Sequence, residues 1–210
     1  MRKELNKTLV KSYSEKFEDN KYPYQPYKSL VWDRLNFTDK YSVLGAWKTG
    51  CIRSAIDEGY KSFDFEGQTF YYTRRWKFGT PAQKKAWEKL NNSSFKEKLL
   101  QISNQKKFEK PGVYVEVNAI DGIGFIYTLF VLHCENPSLF PLYDQHVWRA
   151  YLYFTDGDFM FAKAASQSWK SYCDYASWFK MQVIKFKDFH QSELDRALWK
   201  FGKDLKKITK

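Results

Sequence analysis

The chain has 210 residues, 43% hydrophobic and 20% aromatic, with a net charge of +11. That composition describes one packed domain or two small lobes, and excludes a disordered basic protein. No apolar run approaches the roughly 20 residues that span a bilayer, and MRKELNKTLVKSYSEKF lacks the apolar core of a signal peptide, so a cytoplasmic protein with no membrane partner is expected.

Most of the chain reads as helix. Residues 2–17 place Leu5, Leu9, Val10 and Tyr13 on one face, and KYPYQPYKSL is a proline-interrupted connector. A second helical run extends from Asp39 to about Gly59, with Val43, Leu44, Trp47 and Cys51 at helical spacing. SFDFEGQTFYYT alternates aromatic and polar residues around Glu66-Gly67 and predicts a short β-hairpin. GTPAQKKAWEKL opens a helix, with Thr80 as N-cap and Pro81 at its first position. Asn91-Asn92 breaks that helix, and Ser94-x-x-Glu97 has the form of a capping box for the next. VYVEVNA is rich in β-branched residues, which suits a short or irregular helix. TDGD at 155–158 marks a turn, an aromatic helical stretch follows to about Lys185, and HQSELDRALWKFGKDLKK closes the chain as an amphipathic helix.

The charge is unevenly spread. Residues 74–110 hold eleven Lys or Arg against three Glu, a net +8 that suits a polyanion such as nucleic acid. The three cysteines, Cys51, Cys134 and Cys173, are too far apart for a disulfide framework, a zinc site or an iron–sulfur cluster, and read as small core residues. His133 and His190 show no ligand spacing, so no metal site is expected.

The chemistry concentrates in two stretches. In IDGIGFIYTLFVLHC, Gly122-Ile123-Gly124 lies between two helical patterns, where glycines permit a tight turn and expose backbone amides that can hold a phosphate at a helix N-terminus. In LYDQHVWRAY, Asp144 precedes an amphipathic run and suits either a helix N-cap or a reacting carboxylate. From Gly124 to Asp144 is twenty residues.

This series, from G-I-G through an apolar helix and a proline loop to D-Q-H-V-W-R, resembles the helix-hairpin-helix DNA glycosylase superfamily over about Ile120 to Ala150. Within it the chain most resembles the 8-oxoguanine DNA glycosylase-like branch. The resemblance implies a mainly α, two-lobed helical glycosylase fold with one short β-hairpin. The whole chain, 1–210, would form one glycosylase-like domain, with lobes at about 39–144 and at 1–38 plus 145–210. A cleft between them would carry the glycine hairpin and Asp144 at its mouth. Asp144 would be the catalytic carboxylate, and Gly122, Ile123 and Gly124 the phosphate-gripping hairpin. Lys48, Arg53, Arg74, Arg75, Lys77 and Arg149 are candidate phosphate contacts. Trp199, Phe201 and His146 are candidates for the pocket that receives the flipped base.

One departure carries chemical weight. Members that also cut the DNA strand have a lysine two positions after the hairpin, where this chain has Ile126, flanked by Phe125 and Tyr127. None of these can form a Schiff base with the sugar. The expectation is therefore a monofunctional base-excision-repair hydrolase without lyase activity, leaving an abasic site. Its partner would be double-stranded DNA with a modified or damaged base, bound by a monomer that is nucleoid-associated if bacterial. No cofactor is implied apart from room for a structural monovalent cation at the hairpin, and no iron–sulfur cluster. The alternative is a helix-hairpin-helix protein that binds DNA without chemistry.

Overall fold

The computed structural model describes residues 4–18, 21–54, 59–73, 81–155, 157, 159, 160, 162 and 164–208. Among these the protein is mainly helical, with ten α-helices, one π-helical turn and a small antiparallel sheet. Its chain divides into two compact units, Met1–Phe17 with Phe140–Lys210, and Glu18–Leu139.

The longer continuous unit, Glu18–Leu139, begins with α2 (Tyr24–Tyr27), a π turn at Lys28–Trp32 and α3 (Lys40–Lys48). The run expected to continue to Gly59 stops at Lys48, because Gly50 turns left-handed at φ 67° and Cys51 N–H bonds back to Ala46 O at 2.7 Å. Strands β1 (Ile52–Arg53), β2 (Gly59–Phe65) and β3 (Gln68–Thr73) form a sheet of order β1-β3-β2. The expected hairpin is β2–β3, pairing Phe63 with Phe70 and Phe65 with Gln68, and β1 adds a third strand. Its turn residues, Glu66 and Gly67, both have positive φ, 49° and 77°, as a two-residue hairpin with right-handed strand twist requires.

Helix α4 (Pro81–Leu90) starts at the expected proline, while the proposed Thr80 cap lies outside the described residues. Helix α5 (Ser93–Asn104) starts after Asn92, so Ser94 sits inside it and no side chain caps its start, contrary to the expected capping box. Helix α6 (Tyr114–Asn118) is short, as its β-branched residues suggest, and leads through the glycine turn into α7 (Phe125–Glu135). Helix α7 is the core of this unit, with every residue from Thr128 to Glu135 buried. Gly45 of α3 has no Cβ, and one placed there would lie 2.5 Å from the ring of Trp87, so the glycine is what lets α4 lay that indole on α3.

Glu135 ties three helices of this unit together. Its carboxylate accepts from Lys40 Nζ at 2.7 Å, from the Tyr41 hydroxyl and from Ser103 Oγ at 2.8 Å. A buried carboxylate is tolerable only with partners of this number, here drawn from α3 and α5.

Among its described residues the second unit has helices and no strand. It contains α1 (Lys7–Glu15), capped by Asn6 Oδ1 accepting from Leu9 N–H, then α8 (Gln145–Phe154), α9 (Trp169–Lys185) and α10 (Gln191–Ile208). The aromatic stretch expected to run as helix from the 155–158 turn becomes helical only at Trp169, where Ser168 accepts from Ser171 N–H and caps it. Helix α10 packs against both α1 and α8. Its apolar face, Leu194, Leu198, Phe201 and Leu205, is buried, as its amphipathic pattern predicts.

Candidate active site

Asp144 stands at the start of α8 with extended backbone, φ −158° and ψ −176°. Its Oδ1 accepts from the amides of His146 at 2.8 Å and Val147 at 3.2 Å. These are two of the donors that every helix start leaves without an intrahelical partner, so Asp144 is an N-cap. The other oxygen is held from a different element. Trp199 Nε1–H of α10 donates to Asp144 Oδ2 at 3.1 Å. The residue is half-buried.

The close approach of α10 to this point has a local cause. A Cβ built on Gly202 would lie 1.9 Å from His146 O and 2.8 Å from His146 C. Only a glycine allows α10 to touch the first turn of α8, and Trp199 is one helical turn before that contact. His146 sits edge-on to the Trp199 ring at 5.1 Å, and Phe17 does the same at 5.3 Å. Lys203 Nζ lies 4.7 Å from the centre of the same ring. The indole is thus braced by its neighbours as well as by the hydrogen bond.

Three expectations for this unit are corrected or narrowed. Arg149 is not a phosphate-reaching side chain: it is 2% exposed, and its guanidinium donates to Gly202 O at 3.0 Å and Ala162 O at 2.7 Å. Burial lowers its pKa, with the Asp144 charge acting in the opposite direction. Phe201 belongs to the core, edge-on to Tyr13 and Tyr153 and stacked on Phe154 at 5.0 Å, because two residues along a helix from Trp199 is nearly its opposite face. His146 and Trp199 stand beside Asp144. A cleft of about 290 Å³ lined by Glu4, Leu5, Phe154, Thr155, Trp178, Gln182 and Lys185 lies at the far end of α8, ten residues or about 15 Å of helix from the carboxylate. It is not the place where Asp144 would act.

The glycine turn belongs to the other unit. Gly122 is left-handed at φ 87°, Ile123 is a buried plug at 2% exposure, and Ile123 N–H closes the turn onto Ile120 O at 2.8 Å. Gly124 is exposed and extended, is the N-cap of α7 and offers no side chain to cap it. A Cβ there would meet nothing within 4 Å. Thr128 Oγ1 bonds Gly124 O at 3.1 Å and Asn118 Oδ1 at 3.2 Å, which joins α6 to α7 across the turn. The geometry is helix, tight turn, helix, with no side chain capping the start of α7.

The remaining basic candidates divide. Arg53 Nη1 is occupied by Gly50 O at 2.9 Å and Ile52 O at 2.8 Å, so that nitrogen closes the chain turn after α3 rather than standing ready for a ligand. Lys48 is half-buried, with Nζ 5.3 Å from the centre of the Phe130 ring. Arg74, Arg75 and Lys77 lie outside the described residues. Ile126 follows the turn on α7 and is half-buried. No group of three or more His, Cys, Asp or Glu residues suited to a metal occurs among the described residues, and no helix there is long and apolar enough to cross a membrane.

No family model matches this sequence. An uncharacterised protein of Haemophilus influenzae is 34% identical over 83 residues, which is 39% of this chain and 39% of that protein. The chain thus matches well under half the length of that relative. No solved structure matches.

Two residues escaped the sequence reading. Gly202 carried a usable signal, since a glycine inside a strongly amphipathic helix costs about 1 kcal/mol against alanine and calls for a packing reason. Glu135 carried none, because its three partners come from distant segments.

Proposed function

We propose that the protein is a monofunctional DNA N-glycosylase of the helix-hairpin-helix type, acting on a modified or damaged base in duplex DNA. The observation that carries this reading is the Asp144 carboxylate, held at the first turn of α8 through one oxygen and by Trp199 through the other. Simple capping needs only the first of these. The glycine turn supports the reading independently, with a left-handed Gly122, a buried Ile123 and a helix start at α7 that no side chain caps, the kind of place where a phosphate oxygen binds. The net +11 charge suits the polyanion.

In this mechanism the target base leaves the stack and the bond from C1′ to the base nitrogen breaks, its electron pair departing with the base. Positive charge grows on the sugar, and the Asp144 carboxylate stabilises it. Water then bonds to C1′, oriented by the same carboxylate, which takes up its proton. With Ile126 where strand-cutting relatives have lysine, water is the nucleophile and the product is an abasic site.

The test uses duplexes with single defined lesions, oxidised, alkylated or otherwise modified, followed by alkali to cut any abasic site. Wild-type protein should release a base from at least one of them, and Asp144→Asn, which can still cap α8, should bind the same duplex at least as tightly and release none. Duplex binding without Asp144-dependent cleavage of any lesion would favour a non-catalytic helix-hairpin-helix DNA-binding protein. That alternative draws on the same glycine turn but gives the Trp199 contact no role.

A further inference from the structure

We propose that Trp199 is the positioning residue of the Asp144 carboxylate, fixing the plane of the group through its indole N–H; this rests on the glycosylase reading above. Capping anchors Asp144 at one oxygen only, since both amides converge on Oδ1. The torsion that turns an aspartate's carboxylate is soft, so one anchored oxygen leaves the plane of the group free to swing. A second donor, from a helix that is not the capped one, removes that freedom. The indole N–H at 3.1 Å from Oδ2 is such a donor.

The choice of tryptophan is chemically specific. An indole N–H donates and never accepts, and it does not titrate in the working range. It therefore favours the ionised carboxylate and cannot exchange a proton with it, whereas a histidine or tyrosine there could. A carboxylate meant to face developing positive charge must be anionic and correctly aimed before the bond breaks. Trp199 serves both needs, and its bracing by Phe17, His146 and Lys203 holds the donor itself in place.

The experiment has two arms. In the first, indole N–H resonances are followed by nitrogen–proton NMR, with Trp199→Phe assigning the signal. The Trp199 signal should move as pH is lowered through the carboxylate range, and the movement should vanish in Asp144→Asn. In the second, Trp199→Phe, which keeps an aromatic ring beside Phe17 and His146, is assayed on the cleaved lesion duplex. Single-turnover base release should fall on the order of ten- to a hundredfold, the span commanded by a hydrogen bond to a charged group. The loss should fall more heavily on the base-release rate than on duplex affinity, and the acid limb of the pH–rate profile should move to higher pH. Trp199→His, which restores a ring N–H, should recover part of the rate. A Trp199 signal indifferent to Asp144→Asn, or a Trp199→Phe enzyme with wild-type rate and acid limb, overturns the proposal. If the two residues are coupled by NMR but wild-type protein releases no base from any lesion, the glycosylase reading fails and the positioning bond stands.

Discussion

Replacing Gly202 with alanine tests whether the contact between α10 and α8 is as close as the structure shows, and the sign of the effect decides it. In an ordinary exposed helix position the change stabilises by about 1 kcal/mol, through helix propensity. Here the new methyl carbon would sit 1.9 Å from His146 O, a backbone atom that cannot rotate away. Restoring van der Waals contact requires the two helices to open by about 1.5 Å. Overpacking of that severity costs up to about 3 kcal/mol, so after the propensity gain the net loss is about 2 kcal/mol. For a chain of this size that lowers the melting temperature by roughly 4–8 °C. The same opening would draw Trp199 away from Asp144, stretching the 3.1 Å bond past hydrogen-bonding range. Thermal and urea unfolding followed by circular dichroism and tryptophan fluorescence would measure the first effect, and the indole NMR signal the second. A melting temperature equal to or above wild type would refute the close crossing and, with it, the account of how Trp199 reaches the carboxylate.

The two hairpin glycines should separate by experiment: Gly122→Ala, at φ 87°, should cost about 1–2 kcal/mol in urea unfolding. Gly124→Ala, with open space around its Cβ and extended backbone, should leave stability within about 0.5 kcal/mol. It should nonetheless weaken duplex binding, measured by fluorescence anisotropy, because the methyl stands where a phosphate would approach; equal binding would remove the turn from the interface. Alkaline pH should unfold the helical unit. Tyr172 and Tyr175 are fully buried, and burial, aided by the nearby Asp195 charge, holds their phenols well above the ordinary range near 10. Because their folded pKa is raised, their contribution is fully present below about pH 10 and is lost as pH rises beyond it, at about 3 kcal/mol per pH unit for the pair. Phenolate absorbance should show these tyrosines ionising only together with loss of helical circular dichroism, and early, fully reversible ionisation of all fifteen tyrosines would contradict their burial.

What could be read directly from the chain was local. Proline at the start of α4, the Glu66-Gly67 turn, the glycines before α7 and the aspartate before α8 each act within a few residues, where backbone conformation and caps are set by the residues themselves. Apolar spacing likewise showed the buried face of α10, whereas of the face expected for the first helix Val10 is buried, Leu9 and Tyr13 are half-buried and the buried Leu5 precedes α1. A left-handed Gly50 ends α3 at Lys48, short of the Gly59 that helical spacing suggests, and the Ser168 cap starts α9 only at Trp169.

The roles of the polar side chains were decided only by tertiary packing. Arg149 is a candidate phosphate contact and Trp199 a candidate pocket residue by sequence, yet one donates to buried carbonyls and the other to Asp144. Phe201 and Trp199, two residues apart, part company because a helix turns about 100° per residue. Which of them meets the α8 cap depends on where α10 crosses α8, and that crossing depends on a missing Cβ at Gly202. The sequence determined that a carboxylate would begin this helix. Only the contact with a helix some fifty residues later determined how its second oxygen is held.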